Sequence, residues 1–153
     1  MSWILDFGFD LDFGLELGLG LVNIDFFCYV VLITGGTTNN NDGLMSAEIF
    51  NPVTMESCSL PELPQNRYYH SQNEGLVCGG AHPDAKTNCV KWNPASGNWT
   101  MSHTLKYDRY HHVSWATASG VYLIGGYNSP KTSEKVKLDG SVEEGFSLKY
   151  ATR

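Results

Sequence analysis

The sequence predicts an all-β chain built of repeated four-stranded antiparallel units, and three observations carry that expectation. A double glycine closes an apolar run three times, at Gly35-Gly36, Gly79-Gly80 and Gly125-Gly126, with steps of 44 and 46 residues between copies. Self-similarity at such a period marks a repeat architecture. Each pair is followed by a short strand-like run closed by turn residues: Glu48-Ile49-Phe50-Asn51-Pro52, Val90-Lys91-Trp92-Asn93-Pro94 and Val136-Lys137-Leu138-Asp139-Gly140. Pro52 and Pro94, Arg67 and Arg109, and His70 and His112 are each 42 residues apart. Four markers thus recur in one order.

The strands of a unit follow from side-chain patterning. Residues 29–34 (YVVLIT), 75–78 (GLVC) and 120–124 (GVYLI) are nearly continuous apolar runs, as expected of strands covered on both faces. Val136 and Leu138 alternate with Lys135 and Lys137, which predicts a strand with one wet face. Asn98-Trp99-Thr100-Met101 follows the second turn as a further strand, and the VSWATA stretch after His112 supplies another. Glycine at the end of the second strand of a unit permits positive φ where backbones crowd. Two units read as complete, Tyr69 to His103 and His111 to Leu148; a preceding one lacks its innermost strand.

The double glycine, the aromatic-Asn-Pro turn of Phe50-Asn51-Pro52 and Trp92-Asn93-Pro94, the following Trp99 and the Arg-x-x-His of Arg67–His70 and Arg109–His112 together resemble the kelch repeat, over roughly Cys28 to Leu148. The resemblance implies a partial kelch-type β-propeller with one four-stranded blade per repeat. The expected organisation is a low-complexity tail at 1–27, an incomplete blade at 28–66, and blades at 67–108 and 109–153. The middle repeat fits best. The first has Cys58 near the place of Trp99, and the third has Asp139-Gly140 in place of Asn-Pro. Kelch propellers bind partners, usually proteins, and sometimes serve as substrate adaptors for ubiquitin ligases.

Closure needs about four to eight blades. Three therefore imply either a piece of a longer propeller or self-association through open blade edges. The formal net charge of −6, with 17% charged residues and no basic stripe, weighs against nucleic acid. No apolar stretch approaches the roughly 18 residues of a membrane helix. The first 27 residues alternate Leu and Phe with Asp, Glu and Gly, unlike a signal peptide. Asp6-Phe7-Gly8 and Asp12-Phe13-Gly14 spell a kinase tripeptide, but none of the accompanying kinase motifs is present.

Of Cys28, Cys58, Cys78 and Cys89, none forms a CxxC pair, which weighs against zinc. Around a His82-Pro83-Asp84-Ala85 turn, Cys78 and Cys89 stand opposite each other on paired strands. They are either a disulfide or two buried thiols, depending on whether a bulge shifts the register. A disulfide would place the chain in an oxidising compartment. With the Asn98-Trp99-Thr100 sequon, this favours secretion over the cytoplasm.

No nucleophilic triad, phosphate loop or HExxH pattern appears, and neither catalytic activity nor a cofactor is expected. Adjacent on a strand, His111 and His112 would point to opposite faces and could not share one metal. Trp92 and Trp99 read as blade core, and Glu143-Glu144 as a solvated turn. Arg67 and Arg109 have two readings: a cationic ring for an acidic ligand, or ties between blades through backbone carbonyls, the latter preferred. Loops on one face of the blades are the expected binding surface, with Asn40, Asp42, Arg67, Tyr68, His82, Asp84, Arg109, Tyr110, Asn128 and Lys131 as its candidates. The leading function is a non-catalytic protein-interaction module. The alternative is an extracellular copper enzyme resembling galactose oxidase, or a glycan-binding propeller.

Overall fold

The computed structural model describes residues 30–38, 42–73 and 75–151. The expected tail at 1–27 lies outside them. Among the described residues the chain is all-β, with eleven strands in three antiparallel sheets and no helix. The first sheet has three strands, β1 (Val31–Thr34), β2 (Ala47–Asn51) and β3 (Glu56–Leu60). The second has four, β4 (Ser71–Asn73), β5 (Leu76–Cys78), β6 (Asn88–Asn93) and β7 (Asn98–Thr104). The third also has four, β8 (Val113–Thr117), β9 (Gly120–Ile124), β10 (Ser133–Lys137) and β11 (Val142–Glu144). Each sheet is a meander in which sequence neighbours pair. This is the four-stranded unit read from the sequence, with one strand fewer in the first sheet.

Side-chain alternation along β5 and β6 sorts the core into two layers. Val77 and Val90 join Leu63, with Met45 and Trp99 against them, between the first and second sheets. Leu76, Cys78 and Cys89 point the other way and meet Leu105, Val121, Leu123 and Val136 between the second and third. The continuous apolar run of β5 is therefore covered on both faces, as a strand buried between two layers requires. Trp92 and Trp99 oppose each other across β6 and β7, with ring centroids 5.3 Å apart. Trp99 Nε1 donates to the Pro61 carbonyl at 2.8 Å.

Cys78 and Cys89 are register partners on β5 and β6 and form a disulfide. The hairpin between them turns on His82–Ala85, where the Ala85 N–H donates to the His82 carbonyl at 3.0 Å. A bulge does occur beside Cys89, but on the β6–β7 side, so the cysteine register survives. Three local expectations need correction. Leu138 leaves the strand, because β10 ends at Lys137 and the Asp139-Gly140 turn takes over, with Leu138 72% exposed. Glu143 and Glu144 lie on β11 rather than in a turn, held by ion pairs with Lys137 and Lys106. His111 and His112 precede β8 instead of lying on it, and His111 adopts φ 56°.

The bridge closes a short loop, with 11 residues of sequence separation. Removing it with Cys78→Ser and Cys89→Ser should cost about 3 kcal/mol on loop entropy. Urea unfolding of the wild type with and without reductant, beside the double variant, checks this. A reduced wild type as stable as the oxidised one would contradict it.

Candidate functional site

The site is built at the joints between sheets. At each double glycine the backbone takes positive φ: 59° and 113° at Gly35 and Gly36, 65° and 131° at Gly79 and Gly80, and 69° and 104° at Gly125 and Gly126. A Cβ on Gly79 would stand 2.4 Å from the Arg109 carbonyl oxygen, and one on Gly35 2.3 Å from that of Arg67. No side chain fits there.

Arg67 and Arg109 fasten these corners from both ends. The Arg67 carbonyl accepts from Gly36 N–H at 2.8 Å, and its guanidinium reaches forward to the Gly79 carbonyl at 2.8 Å and the Asn88 carbonyl at 3.1 Å. Arg109 repeats the pattern one unit on. Its carbonyl accepts from Gly80 N–H at 2.9 Å, and its guanidinium donates to the carbonyls of Gly125 at 2.6 Å and Thr132 at 3.1 Å. Both side chains are fully buried. The first charge is met by carbonyl and amide dipoles, including the Asn88 side chain. Burial pulls the Arg67 pKa down to about 10, which leaves it charged at neutral pH. The second is met by a carboxylate, with Arg109 Nε 2.8 Å from Glu134 Oε2 and both groups 0% exposed. The Lys106 N–H donates to the other Glu134 oxygen at 2.5 Å.

The two repeat histidines seal the same joints. His70 Nε2 lies 3.0 Å from Thr34 Oγ1, whose hydroxyl donates to Gln72 Oε1 at 2.7 Å. With its proton given to Gln72, Thr34 accepts from His70, which fixes the Nε2–H tautomer. His112 Nε2 lies 2.7 Å from Ser71 Oγ. Burial, reinforced by Arg67, holds the His70 pKa down to about 4. Burial, then Arg109 and the two neighbouring histidines, hold His112 at about 3. Both are neutral joint residues at physiological pH.

Outside these joints runs a row of rings. Tyr68 and Tyr69 have centroids 5.2 Å apart, Tyr69 stacks on His111 at 3.8 Å, His111 sits 5.6 Å from Tyr110, and Tyr110 stacks on Tyr127 at 5.1 Å. The row crosses from the connector before the second sheet to the loop after β9. Its backbone is tied across the joints: His111 N–H donates to the Tyr69 carbonyl, Ala81 to Tyr68 and Tyr127 to Tyr110, each at 2.9 Å. Tyr69 and His111 hold the same repeat position and both adopt φ 56°, a conformation that non-glycine residues keep only where surroundings enforce it. Tyr69 is 46% and Tyr127 51% exposed. Partial burial, with Tyr127 and Tyr68 alongside, holds the Tyr110 phenol above its usual pKa.

The predicted residues divide accordingly. Tyr68 and Tyr110 belong to the row. Arg67 and Arg109 lie at the joints, where burial withdraws their charges from the loop surface. His82 and Asp84 share the second loop, 3.8 Å apart. Asp42 accepts from Thr38 N–H through its carbonyl at 3.0 Å. Asn128 and Lys131 are exposed in the third loop, and Asn40 lies outside the described residues. Among the described residues no group of three or more His, Cys, Asp or Glu side chains is placed to hold a metal ion. Sequence reasoning missed Tyr69, His111 and Tyr127. The spacing of Tyr69 and His111, 42 residues, was the available signal.

No family model and no curated protein matches the sequence. The fold recurs widely, in 107 solved chains, so it cannot by itself name an activity. One of them, the "Structure of YjhT", superposes with a TM-score of 0.62 at 13% identity, covering 78% of this chain and 49% of that one. The chain thus spans about half the length of that structure. At such identity the likeness is one of fold, of the β-propeller type.

Two outcomes follow for the joints. Arg109→Ala leaves a buried carboxylate unpaired and should destabilise by about 3–5 kcal/mol, whereas Arg109→Met with Glu134→Leu should recover only part of the loss, because the Gly125 and Thr132 carbonyls then lack their donor; denaturant midpoints of the three proteins decide it. The histidines set a pH dependence. Their folded pKa values lie below the usual 6.5, so the unfolded chain binds protons first as pH falls. Their contribution is complete above pH 6.5 and is lost on descent, down to about pH 4 for His70 and about pH 3 for His112. Thermal melts of wild type and His70→Gln/His112→Gln across that window should show a shallower decline in the variant.

Proposed function

We propose that this chain is a non-catalytic interaction module built of kelch repeats, part of a longer propeller, that binds a protein partner on its loop face. The observation carrying this reading is the row Tyr68–Tyr69–His111–Tyr110–Tyr127, which crosses both joints on ordered backbone while remaining partly open to solvent. Aromatic side chains give large contact area at low entropic cost and dominate interface hot spots. Strained φ at two repeat positions adds support, since such strain concentrates at working surfaces. The kelch assignment rests on the double glycines, the Asn-Pro turns and the Arg-x-x-His repeats. The coverage of half of YjhT supports a larger whole.

The measurement is binding of a partner captured from the native source, before and after changes on this face. Tyr127→Ala and Tyr110→Ala should each weaken capture by about tenfold or more, the range of an interface hot spot. Surface changes at the other end of the strands, such as Ser96→Ala in the exposed β6–β7 turn, should leave it intact. The reverse pattern would overturn the assignment of the face.

A further inference from the structure

We propose that the aromatic row is a docking track for an extended proline-rich segment in the polyproline II conformation. The inference rests on the reading that the loop face is the interaction face, and it names the chemistry of what docks there. Charge comes first. Both repeat arginines are buried, Arg67 against main-chain carbonyls and Arg109 against Glu134. The row therefore lacks the guanidinium groups that an acidic or phosphorylated peptide would need.

Hydrogen bonding narrows the partner further. The carbonyls of Arg67, Tyr68, Tyr69, Arg109 and Tyr110 already accept from Gly36, Ala81, His111, Gly80 and Tyr127. A peptide adding itself as a β-strand needs open main-chain partners, and these positions do not offer them. Among the described residues, no hydrogen bond holds the hydroxyls of Tyr68, Tyr69 or Tyr110. The surface thus presents side-chain donors beside ring surface. Proline supplies the complement: no N–H to satisfy, an outward carbonyl, and an apolar ring.

Shape agrees. Tyr69–His111 and Tyr110–Tyr127 are stacked pairs with interplanar angles of 27° and 21°, and His111 and Tyr110 between them are tilted by 50°. The four centroid steps of 5.2, 3.8, 5.6 and 5.1 Å give a track for up to about six residues at ~3.1 Å each. A preformed helix on a backbone locked at φ 56° loses little freedom on docking.

The test titrates a polyproline peptide of about ten residues into the chain and follows the tyrosine emission and NMR shifts of the row. Saturable binding is expected. It should weaken about tenfold or more in Tyr69→Asn and His111→Asn, because asparagine tolerates the left-handed conformation while removing the ring. Tyr127→Ala, at a position without positive φ, gives the same readout should either asparagine variant lose its fold. Polyproline that fails to bind, or binds all three variants as it binds wild type, overturns the proposal. A linear neutral glucan that saturates the row while polyproline does not also overturns it, yet leaves the loop face as the interaction face. Partner capture that persists without the row removes that underlying reading as well.

Discussion

Everything else in this molecule depends on one contact made twice: an arginine that binds two successive double-glycine corners at once. Its main-chain carbonyl receives the corner behind, at Gly36 or Gly80, and its guanidinium reaches the corner ahead, at Gly79 or Gly125. The corners exist because glycine alone supplies the φ values and the clearance. Burying a cation there is costly unless its donors are met. The structure answers with dipoles at Arg67 and with a carboxylate at Arg109.

From that contact the rest follows in order. Fixed corners set the angle between neighbouring sheets, and the alternating side chains of β5 and β6 then fill both spaces, Val77 and Val90 on one side, Leu76, Cys78 and Cys89 on the other. The connectors pass over the corners immediately after each arginine. Their backbone is caught by cross-joint hydrogen bonds such as His111 to Tyr69, and the side chains left pointing outward are the rings. The surface row is thus a consequence of how the joints close.

Much of the fold was legible because repeats make local signals confirm one another. The double glycines marked the corners, and the His82–Ala85 turn centred the hairpin that brings Cys78 opposite Cys89. The preference for arginine as a tie between blades came from its five donors. What stayed hidden depends on contacts distant in sequence. Glu134 occupies the register position that Val90 holds one sheet earlier, so nothing local announces its pairing with Arg109 25 residues away. Glu143 and Glu144 look like turn residues because a short edge strand with both charges exposed carries no apolar pattern. Tyr69 and His111 looked like strand starts because positive φ is imposed by neighbours, not by their own preference.

The most direct test of this account is native-state hydrogen exchange in Arg67→Met beside the wild type. Methionine keeps much of the volume but removes the donors that hold the Gly79 and Asn88 carbonyls. If the arginine sets the joint, protection should fall at the amides of Gly36, Ala81 and His111, which tie the connector and its rings across sheets. It should persist at Val77 and Val90, whose pairing lies within one sheet. Unchanged protection at all three cross-joint amides in a folded variant would contradict the account, and would mean that packing alone orients the sheets.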